Sequence, residues 1–319
     1  MHFDVFNGDA DGICSLLQLR LETPLESELV TGVKRDISLL DKVVAQSGDR
    51  VTVLDVSMAK NQEALRRLLQ SGVEVDYIDH HDPGDIPDHP LLTHTISEAP
   101  EVCTALLVNG RLRGRQVDWA VAGAFGDNLR GPAHTLAQKS GFSDSYTAQL
   151  ERLGTFLNYN GYGPSLEDLH CPPDQLYRLL YAAQTPPAFA ASDTFVALRD
   201  GYEEDLAASA ELAPSFERDG FAVYHLPNAP WARRVSGVFS NRLVNAHPDR
   251  AHAVLTDQGD DEFLVSIRAP LVHRHGALAV CRQFETGGGR EAAAGINRLP
   301  HSELDRLIEA MTAQYSGRR

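Results

Sequence analysis

The chain has 319 residues, 43% of them apolar, and its 44 acidic against 29 basic side chains give a formal net charge of −15. That length is more than one typical core supports, so two domains are expected, and the lack of any run of about eighteen apolar residues excludes a transmembrane helix. The negative surplus repels long polyanions and argues against a tight grip on nucleic acid, although local cations in one cleft can still reverse the potential for a small anion. The start, Met1-His2-Phe3-Asp4-Val5-Phe6, reads as a strand, without the basic and apolar stretches of a signal peptide. Cys14, Cys103, Cys171 and Cys281 are scattered without CxxC spacing; they read as reduced, and a cytoplasmic location is expected.

In chain order, the first eighty residues alternate strand and helix. A strand over about His2–Asn7 precedes a helix with Ile13, Leu16, Leu17 and Leu19 on its apolar side. Glu28–Val33 reads as a second strand, and Leu39, Leu40, Val43 and Val44 then repeat with helical spacing. Arg50–Val56 is the third strand. Ala64, Leu65, Leu68 and Leu69 form another helical face, closed by Gly72 as a C-cap, and Val73–Ile78 is the fourth strand. This order predicts a doubly wound parallel sheet with right-handed crossovers.

Asp82–Pro90, rich in Pro, Gly and Asp, reads as loop. Helical periods follow over Cys103–Leu112, Asp118–Asn128 and Tyr146–Leu157; Pro172-Pro173 opens a further helix and Pro186-Pro187 closes it. A polar helix over about Thr194–Leu212 reads as a connector. Strands are expected at Phe221–Leu226, Ala251–Thr256 and Glu262–Ile267, the last two split by the hairpin-like Gln258-Gly259-Asp260-Asp261. Helices are expected at about Ala232–Asn245, Ala277–Phe284 and Ser302–Ala313. The triple glycine Gly287-Gly288-Gly289, followed by Arg290 and Ala292-Ala293-Ala294-Gly295, reads as a tight helix start.

Chemistry concentrates at strand ends, where open α/β sheets bind ligands. The triplet Asp79-His80-His81 closes the fourth strand, Asn7-Gly8-Asp9-Ala10-Asp11-Gly12 ends the first, Asp55 ends the third, and Asp127 follows another apolar run. Each alone has an ordinary reading: a turn, a strand-end cap, a surface loop. Four carboxylates and an imidazole from separate elements together point to a di-metal site. Hard oxygens plus one imidazole suit Mn²⁺ first, with Mg²⁺ as the alternative. His89, His94, His273 and His275 read as structural or loop residues, as does Arg274.

These motifs, in order and at sensible spacing, resemble the DHH phosphoesterase superfamily in its two-domain form with a C-terminal DHHA1 domain. Asp9-Ala10-Asp11-Gly12, Asp55, Asp79-His80-His81 and Asp127 match its first four motifs, and Gly287-Gly288-Gly289-Arg290 with Ala293-Ala294-Gly295 matches the DHHA1 signature. The resemblance spans nearly the whole chain. It implies an α/β DHH domain over residues 1–190, a helical linker over 191–215 and a smaller α/β DHHA1-like substrate-binding domain over 216–319. It also implies a hydrolase of phosphoric ester bonds using two divalent metal ions, in which Asp9 and Asp11 hold one metal each, Asp55 and Asp127 bridge or complete the pair, and His80 binds the second. Asp79 would fix the tautomer of His80, His81 would touch the phosphate, and a metal-bridging hydroxide would be the nucleophile. Gly287, Gly288 and Gly289 would let backbone N–H groups approach an anion. Arg290, Arg268, Lys34 and Arg35 would add phosphate contacts.

Three positions depart from the family pattern. Val5 stands where pyrophosphatase-like members carry a ligating His, Asn7 where RecJ-type exonucleases carry an Asp, and Arg290 where the signature has His. The expected substrate is a small phosphorylated molecule: a dinucleotide, short oligonucleotide or nucleotide bisphosphate. No stable long nucleic acid complex and no membrane partner are expected, and a homodimer is an open alternative. The competing readings are a RecJ-like single-strand exonuclease, a polyphosphate hydrolase, and a non-catalytic nucleotide-binding protein.

Overall fold

The computed structural model describes residues 1–317. The chain divides into two compact units, Met1–Asp200 and Gly201 onward. Among the described residues no helix is long and apolar enough to cross a membrane.

The first unit carries a sheet of β1 (His2–Phe6), β2 (Glu28–Val30), β3 (Arg50–Leu54), β4 (Glu74–Asp79) and β5 (Leu92–Ile96), in the order β2-β1-β3-β4-β5. All four pairings are parallel. The order reverses beside β1, which makes the carboxyl ends of β1 and β3 the switch point at which such sheets bind ligands. Alternation splits the side chains. Phe3, Val5, Val51, Val53, Val75 and Tyr77 pack with Leu65, Leu68 and Leu69 of α2 (Gln62–Gln70) in one core. Helix α1 (Ala10–Glu22) packs against α3 (Thr104–Arg111), α4 (Val117–Gly126) and α7 (Pro173–Ala183).

Gly72 caps α2 as expected. With φ of 80° it lets its own N–H reach the carbonyl of Leu69 and that of Val73 reach Leu68, a Schellman motif. Other expectations need correction. Leu39–Lys42 is a single 3-10 turn, not an α-helix: Leu39, Leu40 and Val43 are buried, but Val44 points to solvent. Strand β2 stops at Val30 rather than Val33. Pro186-Pro187 opens a short helix, α8 (Pro186–Ala190), after α7 has already ended at Ala183. Two helices, α5 (Arg130–Lys139) and α6 (Asp144–Asn160), follow α4, and α9 (Asp193–Ala210) leads into the second unit.

The second unit has β6 (Phe216–Arg218), β7 (Phe221–Leu226), α10 (Pro230–Ala246), β8 (Ala251–Gly259), β9 (Glu262–Arg268), α11 (Ala277–Cys281), β10 (Gly287–Gly289), β11 (Ala293–Pro300) and α12 (Leu304–Tyr315). The sheet order is β10-β11-β9-β8-β7-β6. Asp260 and Asp261 both have positive φ (51° and 57°) between β8 and β9, the two-residue primed turn that the hairpin signal implied. The glycine run is not a helix start. It is the edge strand β10, paired antiparallel with β11. Gly287 must be glycine for close approach, since a Cβ there would sit 1.7 Å from the carbonyl oxygen of Cys281. Helix propensity of the alanines loses to Ile296 and Leu299, which β11 buries in the sheet's core.

At the amino end of the first sheet, Asp4 is fully buried and pairs with Arg20 of α1, whose Nε donates to Oδ2 at 2.8 Å; Ser27 Oγ donates to the same oxygen at 2.6 Å. Burial pushes the Asp4 carboxyl up, but Arg20, His2 and Ser27 together hold it below the ordinary carboxylate value. Its ionised form therefore stabilises the fold above the unfolded-state value, and that contribution is lost as pH falls through the depressed native value. Asp4→Ala is expected to lower the unfolding free energy at neutral pH by about 3–5 kcal/mol, because it strands a buried guanidinium. Urea denaturation from pH 7 down to about pH 3 checks this, and the gap between variant and parent narrows at the acid end.

Candidate metal centre

Each side chain of the centre is delivered by a different local device. Asp9 is the N-cap of α1, its Oδ1 accepting from Gly12 N at 3.1 Å. Two residues later, Asp11 faces the start of α3. Its two oxygens accept the backbone N–H groups of Thr104 (2.9 Å) and Ala105 (2.7 Å), so the helix N-terminus fixes the carboxylate. Asp55 ends β3 in the left-handed region, φ 58°, where Asp is tolerated better than a branched residue; its N–H donates to Ile78 on β4.

Asp127 closes α4. Asn128 follows with φ of 62°, and its N–H and that of Leu129 bond back to Phe125 and Ala124. The small residues of α4 set its depth: at Gly126 a Cβ would lie 2.3 Å from Cβ of Ala10, so only glycine lets α4 approach α1 closely enough. Asp127 thus sits at the negative end of a helix, and its Oδ2 is buried with no hydrogen-bond partner.

Asp11, Asp55 and Asp127 converge on Nε2 of His80, at 3.8 Å, 3.3 Å and 3.9 Å. The His80 ring is 3% exposed, and its Nδ1 lies 3.0 Å from the carbonyl oxygen of Val102. A carbonyl only accepts, so Nδ1 carries a hydrogen and Nε2 is the nitrogen left to bind a metal. The expectation that Asp79 holds His80 is corrected: the Val102 carbonyl does so, and Asp79 Oδ1 instead accepts from His81 Nδ1 at 2.8 Å. The neighbour decides it, because adjacent residues at a strand end point apart and only the one two positions on returns to Asp79.

Like charges in a buried setting are the electrostatic signature of the place. Burial first, then the neighbouring carboxylates, push Asp55 well above its ordinary value and raise Asp11 also, against the pull of an imidazole in each case. Asp9 goes the other way. Burial raises it, but Lys34 more than offsets that and holds it low. Burial likewise pulls the Lys34 ammonium down, yet Asp9 and its neighbours keep it raised. The Lys34 Nζ is ion-paired with Asp9 Oδ2 and donates to Asn158 Oδ1 at 2.9 Å. His81 is raised by Asp79 and Asp55 against its burial.

Among the described residues two groupings could hold a metal ion, Asp55–His80–His81 and Asp11–His80–Asp127, the ligand atoms of each lying within 4.8 Å of one another. The donors are hard carboxylate oxygens and imidazole, with an orphaned carboxylate oxygen among them, and they fit Mn²⁺ or Mg²⁺. Cys103 lies beside Asp11, but burial and the nearby acids push its thiol far up, which leaves it a poor thiolate ligand.

The remaining expected residues are outside these two groupings. Asn7 braces the loop: its Oδ1 accepts from Asp9 N at 3.2 Å and its Nδ2 donates to the Lys34 carbonyl at 3.2 Å. Val5 faces the apolar core. Arg35 is exposed on the loop after β2. In the second unit Arg268 donates from Nε to Asn241 Oδ1 at 2.8 Å and from Nη1 to Ser266 Oγ at 3.1 Å. Gly288, Gly289 and Arg290 are exposed at the β10–β11 hairpin. Thr104, Val102 and Asn158 escaped the sequence reading. Only Asn158 left a trace there, as a polar residue inside the apolar run Phe156-Leu157-Asn158-Tyr159.

Asp55→Asn is expected to raise the melting temperature of the metal-free chain, because it removes one of the mutually repelling carboxylates. Mn²⁺ at about a hundred times its Kd is expected to add about 2.7 kcal/mol to the unfolding free energy of the parent and nothing measurable to His80→Ala. Thermal melts in EDTA and in graded Mn²⁺ read both effects.

No protein-family model matches the chain, and no curated protein matches it. Solved structures do. Exonuclease RecJ bound to manganese is similar at 20% identity, over 98% of this chain and 89% of that one, with a TM-score of 0.62. The DHH domain of a protein described as a member of the s1p family of ribosomal proteins is similar at 14% identity, over 98% and 85%, with a TM-score of 0.64. The pGpG-specific phosphodiesterase PggH of Vibrio cholerae is similar at 13% identity, over 98% of each chain, with a TM-score of 0.59. At these identities the likeness is one of fold: the chain shares the fold of these structures along nearly its whole length.

Proposed function

We propose that the chain is a metal-dependent phosphoesterase that hydrolyses a small nucleotide phosphodiester, with linear dinucleotides as the substrate class. The observation that carries the reading is His80 Nε2 facing three carboxylates from three different elements. Asp11, Asp55, His80 and Asp127 would hold a divalent ion there, which would supply Lewis acidity toward a phosphoryl oxygen and lower the pKa of water. Mn²⁺ is the first candidate, since the RecJ structure similar to this one contains manganese.

The chain's own groups do the rest. Water forms the new P–O bond as the ester P–O bond breaks, and the leaving oxygen takes up a proton. Asp79 holds His81 by Nδ1, leaving Nε2 of a ring 35% exposed to donate to a phosphoryl or leaving oxygen. Asp11 is kept rigid by the start of α3, so the charge that meets the phosphate is set before the substrate arrives. Arg268, Arg290 and the exposed glycine backbone of the second unit are proposed as phosphate contacts, with residues 1–190 as catalytic domain, 191–215 as linker and 216–319 as recognition domain.

The small substrate is supported by the net charge of −15, which disfavours a long polyanion, and by the full-length likeness to a pGpG-specific enzyme. The likeness to RecJ favours a second reading, a single-strand exonuclease. A Mn²⁺ assay over a series from dinucleotide to about thirty nucleotides separates them. Turnover is expected to fall steeply beyond the shortest substrates, and equal rates along the series would support the exonuclease. Asp127→Asn is expected to lower kcat by about a thousandfold, about 4 kcal/mol of transition-state stabilisation, while dinucleotide still binds.

A further inference from the structure

We infer, on the phosphoesterase reading of this same centre, that it holds one divalent ion rather than two, the ammonium of Lys34 being the built-in second cation. Three observations converge on this. First, both groupings able to hold a metal include His80, and neither includes Asp9. His80 has one nitrogen to offer, because its Nδ1 is spent on the Val102 carbonyl, and one lone pair binds one ion.

Second, a cation already stands against the Asp9 carboxylate. Oδ1 of Asp9 accepts from Gly12 N, and Oδ2 takes the Lys34 ammonium. Asn7 directs its amide oxygen to Asp9 N and its amide nitrogen to the Lys34 carbonyl. Val5 is fully buried on the apolar face of the sheet.

Third, Lys34 is fixed in place. Its N–H donates to the Gly161 carbonyl at 2.9 Å and its carbonyl accepts from Asn7, so the backbone is held at both ends. Its Nζ donates to Asn158 as well as Asp9, and lies 5.6 Å from the Tyr162 ring centroid. An ammonium has donors and no lone pair, so it neutralises Asp9 without offering a coordination position. With two N–H bonds directed to Asp9 and Asn158, the third can point at a phosphoryl oxygen of the substrate. The departures at Val5 and Asn7 thus belong together with Lys34: the loop after β1 holds a lysine in place of an ion.

The test counts ions on the full-length protein. Equilibrium dialysis against Mn²⁺ with elemental analysis is expected to find one ion per chain, with the six-line electron paramagnetic resonance spectrum of an isolated Mn²⁺. Lys34→Met is expected to take up two, with the broadened spectrum of a coupled pair, and Lys34→Arg to stay at one. Asp9→Asn guards against a misfolded Lys34→Met: it keeps one ion if Asp9 serves Lys34, and loses an ion if Asp9 is a ligand. Two ions and a coupled spectrum in the parent would overturn the inference and leave the phosphoesterase reading standing. No ion bound at all would overturn both. One ion bound without hydrolysis of any ester would sink the activity while the count stood.

Discussion

Three carboxylates buried against one imidazole cannot all carry charge at low cost unless a cation sits among them. The rest of the first unit is arranged around that constraint. A parallel sheet with the order β2-β1-β3-β4-β5 brings the carboxyl ends of β1, β3 and β4 side by side. Asp9, Asp11, Asp55, His80 and His81 are therefore gathered by topology alone, from segments far apart in the chain. Asp127 arrives by helix packing instead, and depends on the glycine and alanine surface of α4 lying close on α1. An added methyl group at Gly126 would act at the centre without touching any charged residue.

The supporting contacts are backbone contacts. The start of α3 holds Asp11, and the Val102 carbonyl just before it turns Nε2 of His80 inward. One short segment therefore sets both an acid and a base of the centre. Helix dipoles act in opposite senses on the two outer acids: Asp11 faces a positive helix start, and Asp127 sits at a negative helix end with one oxygen unpartnered. Asp9, ion-paired with Lys34, is pulled below its ordinary value while Asp11 and Asp55 are pushed above theirs. Acids that look equivalent in sequence therefore differ in how readily they ionise, and the half of the cluster without a cation is where a metal ion is most strongly called for.

The readable parts of the sequence were those with a local physical signal. Strand alternation placed β1, β3 and β4, and the glycine after α2 and the aspartate pair between β8 and β9 announced their turns. Other elements carry weak signals. Helix α5 buries only Ala133 and Ala137, so it shows almost no apolar stripe, and β5 is an edge strand whose central Thr93 and His94 are exposed. The glycine–alanine run misled because alanine favours helix in isolation, whereas pairing with β9 gives Ile296 and Leu299 a core to enter. The partner of His80 was unreadable in principle, since a backbone carbonyl belongs to every residue and only the path of the chain selects Val102.

What the sequence determined by itself was the α/β order and the set of acids and imidazoles at strand ends, because periodicity and turn chemistry act over a few residues. Tertiary structure decided which of those groups are free to take a cation. Lys34 reads as a loose basic residue after a strand, and Asn7 as a weak ligand. In the fold Asn7 and Gly161 clamp the lysine backbone and its ammonium closes on Asp9. Coulombic pairing in a buried pocket falls off over a few ångströms, and distances of that kind across more than twenty residues of chain are set only when the sheet assembles.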